Sequence, residues 1–228
     1  MGVTVQAHVS RDRWAAWGGT VAADMLEWYR RELGALVEQT AAKDGEVVWD
    51  KLMAMAADAP AGARGVMFLP HFSGATCPQV DGSSRGAFVG LANTVTQGDL
   101  LRAMVEGLNF QFLDIITALE SGLKTNVERI VGVGGGTRNR FWMQNKADVV
   151  GRAIEVPAVE EATPHGAAIL AGIGAGLYKD EQDAYHRVYR AGTTYEPDQN
   201  ATAMYQARFA VYRQLYPALR DVHRQLES

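Results

Sequence analysis

What most restricts the fold of this 228-residue chain lies past its middle, in "RIVGVGGGTRNRFW", Arg129 to Trp142. A β-branched apolar run enters three consecutive glycines, Gly134, Gly135 and Gly136, and a helical pattern begins near Asn139. Glycines remove every Cβ from such a turn and permit positive φ, so a ligand or another backbone can touch the main chain. The helix start behind it offers unpaired N–H groups and the positive end of a dipole, which suits an anion. Two readings are open: a tight strand-to-helix connection with no ligand, or a ligand cradle. A dinucleotide turn is one form of cradle. Gly132 and Gly134 fit its first two glycines, and Glu155 falls near the distance of its ribose-binding acid. Thr137, however, occupies the third glycine position, and the motif comes late in the chain. A Walker loop is excluded, because no Gly-Lys-Ser/Thr follows.

The flanking pattern sets the class. Val21 to Leu36 is expected as one helix, with Met25, Leu26, Tyr29 and Leu33 at helical spacing. Asp50 to Ala57 reads as a short helix closed by Pro60 and Gly62. "GVMFLP" (Gly65–Pro70) and "AFVGL" (Ala87–Leu91) read as strands. Between them His71–Gly86, rich in Gly, Ser, Pro and Asp, forms a loop long enough to be functional. Thr96 is the expected cap of a long helix, with Asp99 in capping-box position. Its apolar stripe is Leu100, Met104, Leu108, Phe112, Ile115, Ile116 and Leu119, and Gly122 is the expected stop. A strand at "RIVGV", a helix from Asn139 to Val150 and a strand at "AIEVP" follow. Thr163 as cap, with Pro164 in the first turn, opens a helix rich in small residues, which predicts close packing on a neighbour. Tyr205, Phe209, Tyr212 and Tyr216 mark one face of a terminal helix, read as core packing or, second, as a domain or dimer interface. Strands alternating with helices give an α/β class.

Bulk chemistry narrows the partners. A formal net charge of −4 carries no electrostatic footprint for nucleic acid or an anionic membrane. No apolar run approaches the roughly 20 residues of a membrane span. The single cysteine, Cys77, cannot form an internal disulfide, reads as an inert thiol and fits a reducing compartment; a cytoplasmic location is the default expectation, set by the lack of targeting signals and not by any positive one. No His, Cys or carboxylate spacing suggests a metal site built from protein alone.

The stretch "GAFVGLANTVTQGDLLRAMVE", Gly86 to Glu106, resembles the second signature of the FGGY carbohydrate kinases position by position. Gly86, Phe88, Gly90 and Leu91 are followed, after a seven-residue gap, by Asp99, Leu100, Ala103, Met104, Val105 and Glu106. "FLPHFSGATCPQVDGSSRGAF", "VGGGTRNRFWMQNKADVVGRAIEVP" and "EEATPHGAAILAGIGAG" are similar to further family segments, in the same order. The resemblance implies an actin-like, ribonuclease-H-like ATPase fold with a mixed sheet flanked by helices. It also implies that residues 1–228 are the C-terminal, nucleotide-binding domain, incomplete at its N-terminus, with the family's N-terminal sugar-binding domain absent. By position, Gly134, Gly135 and Gly136 would line ATP or ADP, and Asn139 would lie beside the adenine. Gly19, Thr20 and Ala23 match a segment that contributes small residues to the same cleft. Mg²⁺ would arrive with ATP. The second substrate would be a small sugar, with a pentulose such as xylulose favoured, shared with the missing domain or a partner chain.

The resemblance implies a catalytic aspartate, in a Gly-Asp pair near the junction of the family's two halves, before the point where this chain begins. Asp44-Gly45 and Asp81-Gly82 are in the reverse order. The isolated chain is therefore expected to be an incompetent kinase, and a non-catalytic nucleotide-binding or dimerising module is the alternative. Other polar residues have double readings. His71 faces a cleft or is a bystander. Arg85 binds phosphate or pins its own loop to Asp81, the latter favoured. Glu106 has the same ambiguity. Asp148 faces solvent or caps a neighbouring element.

Overall fold

The structure is a computed structural model that describes residues 2–20, 22–159 and 161–226. Strands β1 (Thr4–Ala7) and β2 (Trp14–Trp17) form an antiparallel hairpin. Helices α1 (Ala23–Glu32), α2 (Ala35–Asp44) and α3 (Val48–Asp58) follow. Strands β3 (Met67–Leu69) and β4 (Ala87–Val89) pair antiparallel across the long loop. Next come α4 (Gln97–Leu123), β5 (Ile130–Val131), α5 (Arg140–Val150) and β6 (Ile154–Val156). The chain ends with α6 (Ala162–Gly174), α7 (Glu181–Val188), β7 (Thr193–Tyr195) and α8 (Gln199–Gln225). A mixed sheet is present in β5–β6–β7, where β5 runs parallel and β7 antiparallel to β6.

α4 is the spine. Its start is locked by a reciprocal cap: Thr96 Oγ1 accepts from the Asp99 N–H, and the Asp99 carboxylate accepts from the Thr96 N–H. At 27 residues it is about 40 Å long. Every residue from Leu101 to Gln111 is buried. Two hydrophobic clusters share it. Leu101, Met104, Val105 and Leu108 pack with Met25, Tyr29, Leu52 and Phe68 of α1, α3 and β3. Phe110, Leu113 and Ile116 pack with Val150, Ile154, Tyr205, Phe209 and Tyr212 of α5, β6 and α8. The aromatic face of α8 is thus core: the Phe110 ring lies 6.1 Å from Phe209 and 5.3 Å from Tyr212. Close approach of β3 depends on Gly107, where a Cβ would stand 2.4 Å from the Phe68 carbonyl oxygen.

Burying α4 on all sides also buries its polar residues, and each finds partners, as burial requires. Arg102 Nε donates to Glu106 Oε1 at 2.8 Å, and Arg102 Nη1 donates to the Ala59 carbonyl at 2.6 Å. Glu106 Oε1 also accepts from the Gly62 N–H at 2.9 Å and from the Tyr205 hydroxyl at 2.8 Å. Glu106 is therefore structural. The loop after β3 is held the same way. His71 shares hydrogen bonds with Ser84 Oγ at 2.8 Å and Gln111 Oε1 at 3.3 Å, and is 3% exposed, so it faces no cleft. Tyr216 donates to Asp81 at 2.8 Å, while Arg85 donates to the carbonyls of Gly82 and Ser84 within its own loop. Of its two readings, Asp148 takes the contact with a neighbouring element: it accepts from the N–H of Asp198, the N-cap of α8, at 2.9 Å.

Several boundaries differ from expectation. The helix expected over Val21–Leu36 is two, α1 and α2, and Val21 lies outside the described residues. The break is at Gly34, whose N–H turns back to the Tyr29 and Arg30 carbonyls; a Cβ there would sit 2.6 Å from Arg30 O. Gly122 does not stop α4, which ends at Lys124 in the left-handed region, φ 52°. Thr163 lies inside α6, and Glu161 takes the cap position without a side-chain bond. The small-residue helix α6 has only Gly172 buried; its close contact is with Tyr178, 2.6 Å from where a Cβ at Gly172 would be.

Candidate nucleotide site

β5 delivers the chain into Gly132, whose N–H pairs with the Glu155 carbonyl of β6 at 2.8 Å. Gly134 then adopts φ +91°, a conformation that L side chains rarely enter, and turns the chain into a 3₁₀ segment, Gly135–Arg138. Thr137 fixes the turn from within, its hydroxyl donating to the Gly134 carbonyl at 2.7 Å. Asn139 is the N-cap of α5, and its Oδ1 accepts from the Trp142 N–H at 2.8 Å. That leaves its amide NH₂ available. Gly134, Gly135 and Gly136 are solvent-exposed, and a Cβ built on Gly134 or Gly135 meets nothing within 4 Å. The turn is thus an open face, with glycine required by backbone conformation at Gly134 and by neither packing nor φ at Gly135. Beneath it, the Trp142 ring lies 3.5 Å from a Cβ position on Gly136 and forms its floor.

The floor is anchored deep in the core by residues with no motif signal. Trp142 Nε1 donates to Asn109 Oδ1 at 3.1 Å, Asn109 Nδ2 to Asn145 Oδ1 at 2.7 Å, and Asn145 Nδ2 to the Tyr205 hydroxyl at 2.8 Å. Tyr205 passes the chain to Glu106, and thence to Arg102. This relay joins α5, α4 and α8. The only hint in the sequence is that Asn109 and Asn145 interrupt helices otherwise rich in apolar residues.

The structure brings Gly134, Gly135, Gly136 and Asn139 together as one loop-and-cap unit. Gly19, Thr20 and Ala23 lie around the start of α1, where the Gly19 carbonyl accepts from the Thr76 hydroxyl of the loop after β3. Thr20 is half-buried and Ala23 exposed. Glu155, the acid a dinucleotide site would need, is occupied: Arg129 bonds it at 2.9 and 2.5 Å and holds its carboxyl below the usual range. An apolar cavity of about 210 Å³ lies beside Val133, lined by Pro157, Ile169, Tyr185 and Val188. Among the described residues its lining holds no lysine or arginine.

Among the described residues no group of three or more His, Cys, Asp or Glu is placed to hold a metal ion. Of the two reversed Asp-Gly pairs, Gly45 is the left-handed C-cap of α2 and Asp44 pairs with Lys51 at 2.9 Å; Asp81 is bound by Tyr216. Both have structural duties. Among the described residues no helix is long and apolar enough to cross a membrane.

Comparison with known proteins places this geometry in context. The profile of the "FGGY family of carbohydrate kinases, C-terminal domain" matches residues 2–175. A xylulose kinase of Staphylococcus epidermidis is 30% identical over 211 residues, covering 92% of this chain and 40% of the relative. A glycerol kinase of Nostoc sp. is 34% identical over 154 residues, covering 65% of this chain and 29% of the relative. Among solved structures, a xylulose kinase from Brucella ovis superposes with a TM-score of 0.79 at 28% identity, covering 97% of this chain and 44% of that one. The chain spans about two fifths of the length of the xylulose kinases it matches.

Proposed function

The chain belongs to the FGGY family of carbohydrate kinases, and from that premise we propose that residues 1–228 are the nucleotide-binding C-terminal part of such an enzyme, built on the actin-like, ribonuclease-H-like ATPase fold. The whole enzyme transfers the γ-phosphate of ATP to a hydroxyl of a small sugar. Xylulose is favoured over glycerol, because the Staphylococcus epidermidis xylulose kinase matches 92% of the chain and the Nostoc glycerol kinase 65%. A cytoplasmic setting goes with this reading.

One observation carries the proposal: an exposed, side-chain-free turn, Gly134–Gly136, stands at the start of a helix and is followed by a cap residue with an available amide. ATP or ADP lies on that turn. The first N–H groups of the 3₁₀ segment, at Gly135 and Gly136, lack intrahelical acceptors and are the natural donors to an anion. The Asn139 NH₂ serves a base acceptor. Gly19, Thr20 and Ala23 are assigned to the same cleft on the family resemblance. Mg²⁺, for which the described residues form no acidic cage, comes with the phosphates.

Phosphoryl transfer also needs a base at the acceptor hydroxyl and a closed, water-poor cleft. No described residue is free to act as that base in the open turn, and we assign it, with the sugar site, to the part of the kinase that this chain does not contain. The same observation supports the second reading, a nucleotide-binding or dimerising module without turnover.

Calorimetric titration with ADP and with ATP plus Mg²⁺, on the wild type and Gly135→Val, tests the site. The substitution adds atoms only to open space, so the fold is retained. Saturable binding that Gly135→Val abolishes is the expected result. Equal binding by both proteins would move the nucleotide off this turn.

A further inference from the structure

Trp142 is where the parts of the candidate site meet. Its main-chain N–H donates to Asn139 Oδ1 at 2.8 Å and so fixes the orientation of that amide. Its ring lies against Gly136, 3.5 Å from where a Cβ would stand. Its indole N–H reaches Asn109 Oδ1 on α4 at 3.1 Å. The ring also packs against both hydrophobic clusters. Packing fills the space around a ring without choosing its direction, whereas a hydrogen bond is directional. Among the described residues the hydrogen bond on this ring is the one to Asn109.

The polarity of the relay follows from that bond. An indole N–H can only donate. It therefore sets the Asn109 amide with its oxygen towards the ring, and the Asn109 NH₂ is left to donate to Asn145 Oδ1 at 2.7 Å. The Asn145 NH₂ donates in turn to the Tyr205 hydroxyl at 2.8 Å, and that hydroxyl donates to Glu106 Oε1 at 2.8 Å. The series runs one way, from the indole to the Glu106 carboxylate, where Arg102 Nε also donates. Asn109 is 0% exposed and Asn145 3%. Apolar side chains of similar size would join α4 to α5 without the cost of burying two amides. What the amides add is a fixed direction for the Trp142 ring.

We propose that Asn109 is a positioning residue for the glycine turn, acting through Trp142. Its side-chain oxygen sets the ring on which Gly136 rests, and with it the N–H groups at Gly135 and Gly136. The effect on the turn stands on this geometry; the effect on binding rests on the reading of that turn as the nucleotide site. Loss of the Asn109 oxygen leaves the indole N–H without its acceptor, so the ring turns and Gly136 follows it. A leucine at position 109 has that effect. An aspartate there does not. Burial favours its neutral acid, whose carbonyl oxygen accepts from the indole and whose O–H donates to Asn145.

The test compares the wild-type chain with Asn109→Leu and Asn109→Asp by amide and indole N–H correlation spectra, calorimetric titration with ADP, and thermal unfolding. Asn109→Leu is expected to move the Gly136 amide and Trp142 indole resonances and to weaken ADP binding about 10-fold, the scale of one hydrogen bond. Asn109→Asp is expected to recover the wild-type resonances and most of the affinity, although both variants unfold at a lower temperature. A Gly136 resonance unmoved by Asn109→Leu overturns the proposal. So does one that Asn109→Asp moves as far, because the turn then follows stability and not the acceptor. Should Asn109→Leu fail to fold, Trp142→Phe breaks the same bond from the side of the ring, and an unmoved Gly136 amide there overturns the proposal equally. A wild-type chain that binds no ADP refutes the nucleotide reading, and the resonances still decide the role of Asn109.

Discussion

At the scale of single residues, the informative groups are those whose partners lie far along the chain. His71 illustrates the energetic consequence. Burial among Ser84, Gln111 and Tyr216 pushes its imidazole down to about 4, against the opposing pull of Gln111 and with His223 adding to the depression. A base depressed on folding binds its proton more readily in the unfolded chain. Stability is therefore complete above pH 6.5 and declines as pH falls from there towards 4, by up to about 3 kcal/mol from this residue. Urea unfolding midpoints from pH 4 to 7 should fall steeply for the wild type and more gently for His71→Gln. The sequence pointed to His71, Glu106 and Asn139 but not to Asn109 or Asn145. Periodicity marks which face of a helix is buried; it carries nothing about a bond such as Asn109 to Asn145, made across 36 residues of chain.

At the scale of elements, local chemistry was legible and packing was not. The Thr96–Asp99 cap, the strand, turn and helix around Gly134, and the aromatic face of α8 all form as their patterns predict. The break between α1 and α2 was missed because Gly34 is a single residue in an otherwise helical pattern. The exposure of α6 was missed because small residues permit close packing without supplying a neighbour. Two glycines of α4 show why context decides. Gly107→Ala drives a methyl into the Phe68 carbonyl, which cannot swing aside, and should destabilise by about 2 kcal/mol. Gly122→Ala, in the exposed last turn of the same helix, should stabilise by up to about 1 kcal/mol. Thermal unfolding of the two variants should show Tm shifts of opposite sign.

At the scale of the molecule, two clusters on a common helix make one body with a half-built appearance at its surface. The β1–β2 hairpin leaves Trp14 73% and Trp17 59% exposed, and the chain amounts to two fifths of its xylulose kinase relatives. The proposed nucleotide turn has no free carboxylate or imidazole beside it among the described residues. Incubated with ATP, Mg²⁺ and xylulose or glycerol, the purified chain should release no ADP beyond the sugar-free background. Robust sugar-dependent ADP production would place the missing base within these residues.

The burial of α4 from Leu101 to Gln111 also decides where an observer can stand. A fluorophore, spin label or crosslinker attached along that stretch would have to occupy space already filled by α1, β3 or α8, and would report on its own intrusion. The ends of the rod are different. Thr94, before the cap, and Lys124, after it, are exposed and about 40 Å apart along the axis. A pair of probes there spans the molecule, and the rigid helix between them is a built-in ruler against which any displacement of the glycine turn on nucleotide binding can be measured.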